Sequence, residues 1–200
     1  NRGYRYILTA ININTRKLYA YKSKKKVGNI IKDLMKQFLK DVEAHNLSLP
    51  KNNRPIPPYV KSITTDSGSE FKFKNTRNFL KDKKVDLYIV PAVNKYYLTS
   101  KIERVHRTLK ELFNKYFTAF NTVKWYDMLD DFVENYNTRH HRSIKMSPDE
   151  VGLVEELEII KKDFERMVEK LQSNTFKVGD FVRIHNVKKL FEKGEVLYST

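Results

Sequence analysis

Two rhythms of hydrophobic and polar positions run along the chain, and their order predicts an α/β protein. Residues 4–13 (YRYILTAINI) are dense in aromatic and β-branched side chains and predict a strand. Lys17-Leu18-Tyr19-Ala20-Tyr21 predicts its hairpin partner, across a turn at Asn14-Thr15. Ile30, Ile31, Leu34, Met35, Phe38, Leu39 and Val42 then recur at helical spacing, so residues 27–44 predict an amphipathic helix. A loop holding Pro50, Pro55, Pro57 and Pro58 leads to a short strand over 59–65, which ends at Asp66. A short helix over 75–83 and a strand over 85–90 follow. Ile102, Val105, Leu109, Leu112, Phe113 and Tyr116 mark one face of a long helix over 100–120. Trp125, Met128, Leu129, Phe132, Val133 and Tyr136 mark a third helix, which places Trp125 in the core. In Ser147-Pro148-Asp149-Glu150 the Ser supplies an N-cap, the Pro suits a first helical position and the Glu completes a capping box. The helix it opens is charged and reads as a solvated connector. Phe176 to Ile184 reads as two short strands around Gly179-Asp180, the start of a small β-barrel. The order β-β-α-β-α-β-α-α predicts helices packed on a central mixed sheet.

Charge narrows the function. With 39 Lys and Arg against 24 Asp and Glu, the 200-residue chain carries a net +15, which points to a polyanionic partner. The excess is uneven: residues 1–32 hold nine basic side chains and no acid, whereas residues 149–170 hold eight acids and four bases. No apolar run approaches the roughly 18 residues that span a bilayer, so no membrane partner is expected. The absence of Cys excludes disulfides and Cys-based zinc sites. The chain opens Asn1-Arg2-Gly3 without Met and runs at once into a strand pattern, so it reads as a piece of something longer.

Two carboxylates carry the candidate chemistry. Asp66, in Thr65-Asp66-Ser67-Gly68-Ser69-Glu70, ends a predicted strand, a place suited to holding a hard cation through oxygen. An ordinary Gly turn favours Asp there as well. Glu103 lies on the long helix, where His106, Arg107, Lys110 and Asn114 follow at i+3, i+4, i+7 and i+11 on the same face. That is one acid beside a ladder of nitrogen donors, as a metal ligand next to a phosphate track would be. A solvated face with a Glu103–Arg107 ion pair fits the same spacing. Glu70 reads either as a helper of Asp66 or as a turn residue. The run Lys22 to Lys26 reads as a DNA contact or a solvated turn, and His140-His141 as a phosphate contact or a loop.

Taken together, these segments resemble a retroviral-type integrase catalytic core. Asp66-Ser67-Gly68-Ser69-Glu70-Phe71, then 36 residues between Asp66 and Glu103, then Ile102-Glu103-Arg104-Val105-His106-Arg107 are similar to the last two members of that family's Asp, Asp, Glu triad. Tyr136-Asn137 to Ser143 and Met146-Ser147-Pro148 resemble its downstream signature, Arg5 to Ile11 its second core strand, and Phe176 to Ile184 its C-terminal barrel. The wording is closest to integrases of Maverick/Polinton-type transposons. The resemblance implies a ribonuclease H-like core over 1–146, a helical linker over 147–173 and a partial SH3-like β-barrel over 174–200. It implies a polynucleotidyl transferase of a transposable element, which carries out 3′-end processing and strand transfer in DNA integration. Asp66 and Glu103 would be catalytic and metal-binding, toward two Mg²⁺ (or Mn²⁺) ions about 3.5–4 Å apart. Lys101, Arg104, His106, Arg107 and Lys110 would bind nucleic acid. The partners implied are DNA, as element ends and target, and further copies of the chain; the location implied is nuclear.

Three departures stand out. The first triad Asp would lie on a strand before Asn1, and no acid within residues 1–32 replaces it. His106 stands where the family leads one to expect Asn, and the family's zinc-binding N-terminal module is absent. An alternative is therefore a catalytically inactive, domesticated integrase acting as a nucleic-acid-binding protein.

Overall fold

The computed structural model describes residues 2–90, 95–173 and 178–181, with side chains described for all of these except 95–99 and 173. By backbone contacts the chain divides into two units, Asn1–Ile160 and Lys161–Thr200. The first unit holds the elements that position the candidate site.

Strands β1 (Tyr6–Ile11) and β2 (Leu18–Ser23) form an antiparallel hairpin in which Tyr6 faces Ser23 and Ile11 faces Leu18. The Asn12 side chain makes the turn, its Oδ1 accepting the N–H groups of Asn14 and Thr15. Because successive strand residues point to opposite faces, the hairpin has two apolar sides. Leu8, Ala10, Tyr19 and Tyr21 pack on helix α1 (Gly28–Ser48), around Ile31, Met35 and Phe38. Ile11 and Leu18 pack on the opposite side, against Val105 and Leu109 of helix α3 (Lys95–Phe120) and Phe132, Val133 and Tyr136 of helix α4 (Leu129–Thr138). The result is a helix–sheet–helix sandwich. Helix α1 forms without a side-chain N-cap or an acid in its first turn, so its stability comes from burying the Ile31–Met35–Phe38 stripe. The three fully buried leucines, Leu18, Leu80 and Leu129, contribute at most about 2–3 kcal/mol each.

Strands β3 (Ser62–Thr65) and β4 (Asp86–Ile89) pair in parallel, connected through helix α2 (Lys74–Asp82). Ile63 joins the α1 cluster, so both strand pairs share α1 as a cover. The N-terminus of α1 sits so close to Phe73, just before α2, that a Cβ on Gly28 would lie 2.2 Å from its ring. Only glycine permits that approach.

The sequence predicts one central sheet; the described residues instead form two two-stranded sheets, β1–β2 and β3–β4. The backbone bonding shows which groups on the outer edges face away. Asn12 N–H bonds the Lys17 carbonyl, and antiparallel bonding alternates, so residues 7, 9 and 11 turn their backbone groups away from β2. Alongside β3, the carbonyls of Lys61 and Thr65 accept from the N–H groups of Asp86, which opens β4, and Val90, which follows it, so Ser62 and Thr64 turn the other way. The outer edges of β1 and β3 are thus among those that no described strand covers.

The capping box at Ser147 and Glu150 forms as predicted, but it caps a single 3₁₀ turn, Pro148–Glu150. The long helix α5 (Leu153–Ser173) starts three residues later. Its first turn is held to the core by Asn53, whose Oδ1 accepts from Val154 N–H and whose Nδ2 donates to Glu155. The strands expected over 176–184 lie outside the described residues apart from 178–181, where Gly179 takes a φ of +102°.

Candidate nucleic-acid interface and carboxylate pair

Asp66 stands directly after β3 and is half-buried. Its Oδ1 accepts the Gly68 N–H at 3.2 Å, so the turn that follows is shaped by the carboxylate itself. Glu70 is no solvated turn residue: its side chain is 8% exposed and pairs with Lys26 at 2.8 Å. That hydrogen bond holds the Lys26 ammonium above its ordinary pKa, with smaller support from the charges of Glu70 and Asp66. Lys26, Glu70 and Asp66 are thus one electrostatic cluster at the end of β3.

Helix α3 splits into two faces as its periodicity predicts. Val105 and Leu109 are buried, whereas Glu103, Arg104, His106, Arg107 and Lys110 are exposed. Lys101 is placed differently: it is partly buried, and its Nζ donates to the Ile13 carbonyl at 2.8 Å, tying α3 to the end of the hairpin. His106 reaches Thr9 on β1, Nε2 to Oγ1 at 2.7 Å. This contact follows from strand alternation, because Thr9 shares with Ile11 the face that looks at α3. Although much of the residue's surface is exposed, packing of the ring desolvates the imidazole enough to lower its pKa. The Lys110 charge lowers it further, while Glu103 and Asp66 pull it back up. The charges of both carboxylates reach the one imidazole.

A histidine whose folded pKa lies below its unfolded value stabilises the fold fully above the unfolded pKa, about 6.5. That contribution is lost as pH falls from there toward the folded value, because the unfolded chain takes up the proton first. His45, also lowered by burial, adds to the same trend. Denaturant unfolding should therefore show stability declining from pH 7 to 5, and His106→Asn should decline less steeply. Equal slopes for both would mean that His106 does not titrate between the two states.

The donor set available to a metal is small. Among the described residues no group of three or more His, Asp or Glu side chains could hold a metal ion. Asp66 and Glu103 alone do not fit a two-ion cage, which needs more carboxylate oxygens than two side chains supply. The other sequence candidates are placed in structural roles. His141 Nε2 meets the Tyr136 carbonyl at 2.9 Å and its ring stands edge-on to Tyr136. Lys22 contacts Asp130 and the Tyr126 carbonyl, and Lys24 lies over the Tyr4 ring. Trp125 is half-buried and edge-on to Phe113. Sequence reasoning missed Thr9 and the pairing of Lys26 with Glu70, whose partners are distant in the chain. Only the alternation of β1 pointed to Thr9.

No family model matches the chain. It is 26% identical over 195 residues, 97% of its length, to an uncharacterized transposon-derived protein of Caenorhabditis elegans. The chain spans about three-fifths of that relative, 59%. In fold it is similar to a chain of the simian T-cell lymphotropic virus intasome in complex with the PP2A regulatory subunit B56 gamma. That match has a TM-score of 0.59 at 14% identity, covering 72% of this chain and 46% of the other. The structural neighbour supports a mixed α/β fold.

Proposed function

We propose that the chain is part of a transposon integrase that binds DNA along the exposed face of α3 and contributes Asp66 and Glu103 to a nuclear DNA-integration reaction. The observation that carries the reading is the exposed face of α3, where Glu103 stands among Arg104, Arg107 and Lys110 and His106 is bonded to Thr9 of β1. A pure binder gains nothing from two acids in a phosphate track, since each repels the backbone it would hold. The open outer edges of β1 and β3 support the reading too. A strand seated between β1 and β3 would join the pairs into one sheet, as a ribonuclease H-like core requires, and would bring a third carboxylate if it ended in Asp.

In the proposed reaction a hydroxyl oxygen of water, or of the element's 3′ end, attacks phosphorus, and the 3′ oxygen of the cut strand leaves. Arg107 and Lys110 hold the phosphate backbone. His106, kept neutral near pH 7 by its surroundings, serves as a hydrogen-bonding side chain rather than a cation. Lys101 acts by fixing α3 to the hairpin. With only two carboxylates among the described residues, this segment binds DNA and leaves it uncut.

Binding should be largely independent of sequence and steeply salt-dependent. Arg107→Ala combined with Lys110→Ala should weaken binding to unrelated duplexes alike. It should also flatten the plot of log affinity against log salt by about two units, one per phosphate contact. Fluorescence anisotropy at several salt concentrations measures this. An unchanged slope would place the DNA elsewhere.

A further inference from the structure

Helix α5 carries an exposed apolar stripe. Its acidic first turn faces the core through Glu155 and Glu156, bonded to Asn53 and Asn14. Leu157, Ile160, Phe164, Met167 and Leu171 lie on another side, each 42–66% exposed. With partly buried Leu153 ahead of them, their spacing is 4, 3, 4, 3, 4. A 3–4 alternation sustained along a helix is the seam of a left-handed coiled coil, and here Val154 and Val168 widen it on one flank. Leu157, Phe164 and Leu171 fall at a positions, and Leu153, Ile160 and Met167 at d positions. The helix is therefore more than a solvated connector.

We infer that α5 pairs with α5 of a second copy of this chain as a parallel two-stranded coiled coil. Charge selects both the partner and the direction. Flanking the seam, the e positions are Val154, Lys161 and Val168, and the g positions are Glu156, Asp163 and Lys170. In a parallel pair each g residue meets the e residue five positions on in the other helix. Glu156 then faces the partner's Lys161, twice by symmetry, while Asp163 faces the partner's Val168. No like charges meet. In the antiparallel pair that also stacks every seam layer, Glu156 would face the partner's Lys170, twice by symmetry, but Lys161 would face the partner's Lys161 and Asp163 the partner's Asp163. The last two contacts are repulsive, and the parallel pair has no such contact. Asn14 engages one Glu156 oxygen, and the other is the one that would reach across.

Three heptads are near the minimum for a stable seam, so dimerisation should depend on concentration, with half-association at roughly micromolar to tens of micromolar. The test uses the full chain without DNA, so its outcome is separate from that of the integrase reading. Sedimentation velocity should show a monomer–dimer equilibrium. Phe164→Glu should leave a monomer with unchanged far-ultraviolet circular dichroism. Lys161→Glu should weaken the dimer several-fold, and adding Glu156→Lys should restore it. Because the chain has no Cys, Leu171→Cys reports direction without disturbing folding. On mild oxidation it should give a covalent dimer, since parallel helices place the two Leu171 positions side by side, while Glu165→Cys on the outer face should not. A wild-type chain that stays monomeric at hundreds of micromolar, a dimer indifferent to Phe164→Glu, or a Leu171→Cys that fails to cross-link within a dimer would each overturn the inference.

Discussion

Asn137→Ala should lower the unfolding free energy by about 2–4 kcal/mol. Asn137 lies on α4, 4% exposed, and bonds both backbone groups of Leu18 on β2. Its Oδ1 accepts the Leu18 N–H at 2.8 Å and its Nδ2 donates to the Leu18 carbonyl, also at 2.8 Å. Leu18 is fully buried, so water cannot take over when the amide is removed. Two backbone groups would then be left desolvated and unpaired, each costing about 1–3 kcal/mol. For a chain of this length the melting temperature should fall by roughly 5–15 °C. Asn137→Asp should be comparably harmful, because it keeps the acceptor, loses the donor and buries a charge. Urea denaturation and thermal melts measure both. A loss below about 1 kcal/mol would mean that Leu18 finds other partners and that the α4–β2 clamp is dispensable.

Much of this fold is legible in the sequence because its elements are amphipathic with clear periods. The rhythm of β1 assigns Leu8 and Ala10 to one helix layer and Ile11 to the other, and the stripe on α3 separates Val105 and Leu109 from the cationic face. What the sequence hides is long-range pairing. Tyr136-Asn137 is readable as a motif, yet nothing local says that the amide of Asn137 clamps a residue 119 positions away. Lys26 and Glu70 look like members of a basic run and a turn until folding sets them 2.8 Å apart. Lys101 belongs by spacing with the exposed cations, but the Ile13 carbonyl claims it. The same local signal can also serve a different element. The capping box at Ser147 caps a 3₁₀ turn instead of α5, because buried Val151 and Gly152 interrupt the helix and Asn53 supplies the next set of bonds. Gly152 sits so near Asn53 that a Cβ there would lie 2.3 Å from the amide, a constraint visible only in three dimensions.

On the proposed reading, residues 1–200 should bind DNA yet show no strand transfer, and a longer form should gain it. The charges of Asp66 and Glu103 reach His106, as does that of Lys110, and Asp66 also acts on Lys26. Two divalent cations about 3.5–4 Å apart repel strongly and need a shared carboxylate between them. Mg²⁺ also demands near-octahedral oxygen geometry and gives up its waters reluctantly, so two side chains should hold it weakly. Extending the chain before Asn1 by a strand that seats between β1 and β3 and ends in Asp would supply the missing ligand. That form should process labelled DNA ends and transfer them to a target in the presence of Mg²⁺ or Mn²⁺, and chelation should stop it. In the extended form Asp66→Asn or Glu103→Gln should cut the rate by at least about 10²-fold, several kcal/mol of transition-state stabilisation. DNA affinity should change little, because phosphate contacts rest on Arg107 and Lys110. A strand-transfer assay on both lengths decides the matter. Robust activity from residues 1–200 would mean that the acids are wrongly assigned. An inactive extended chain that still binds DNA would favour the domesticated binder, with Asp66 kept for the turn it shapes through Gly68.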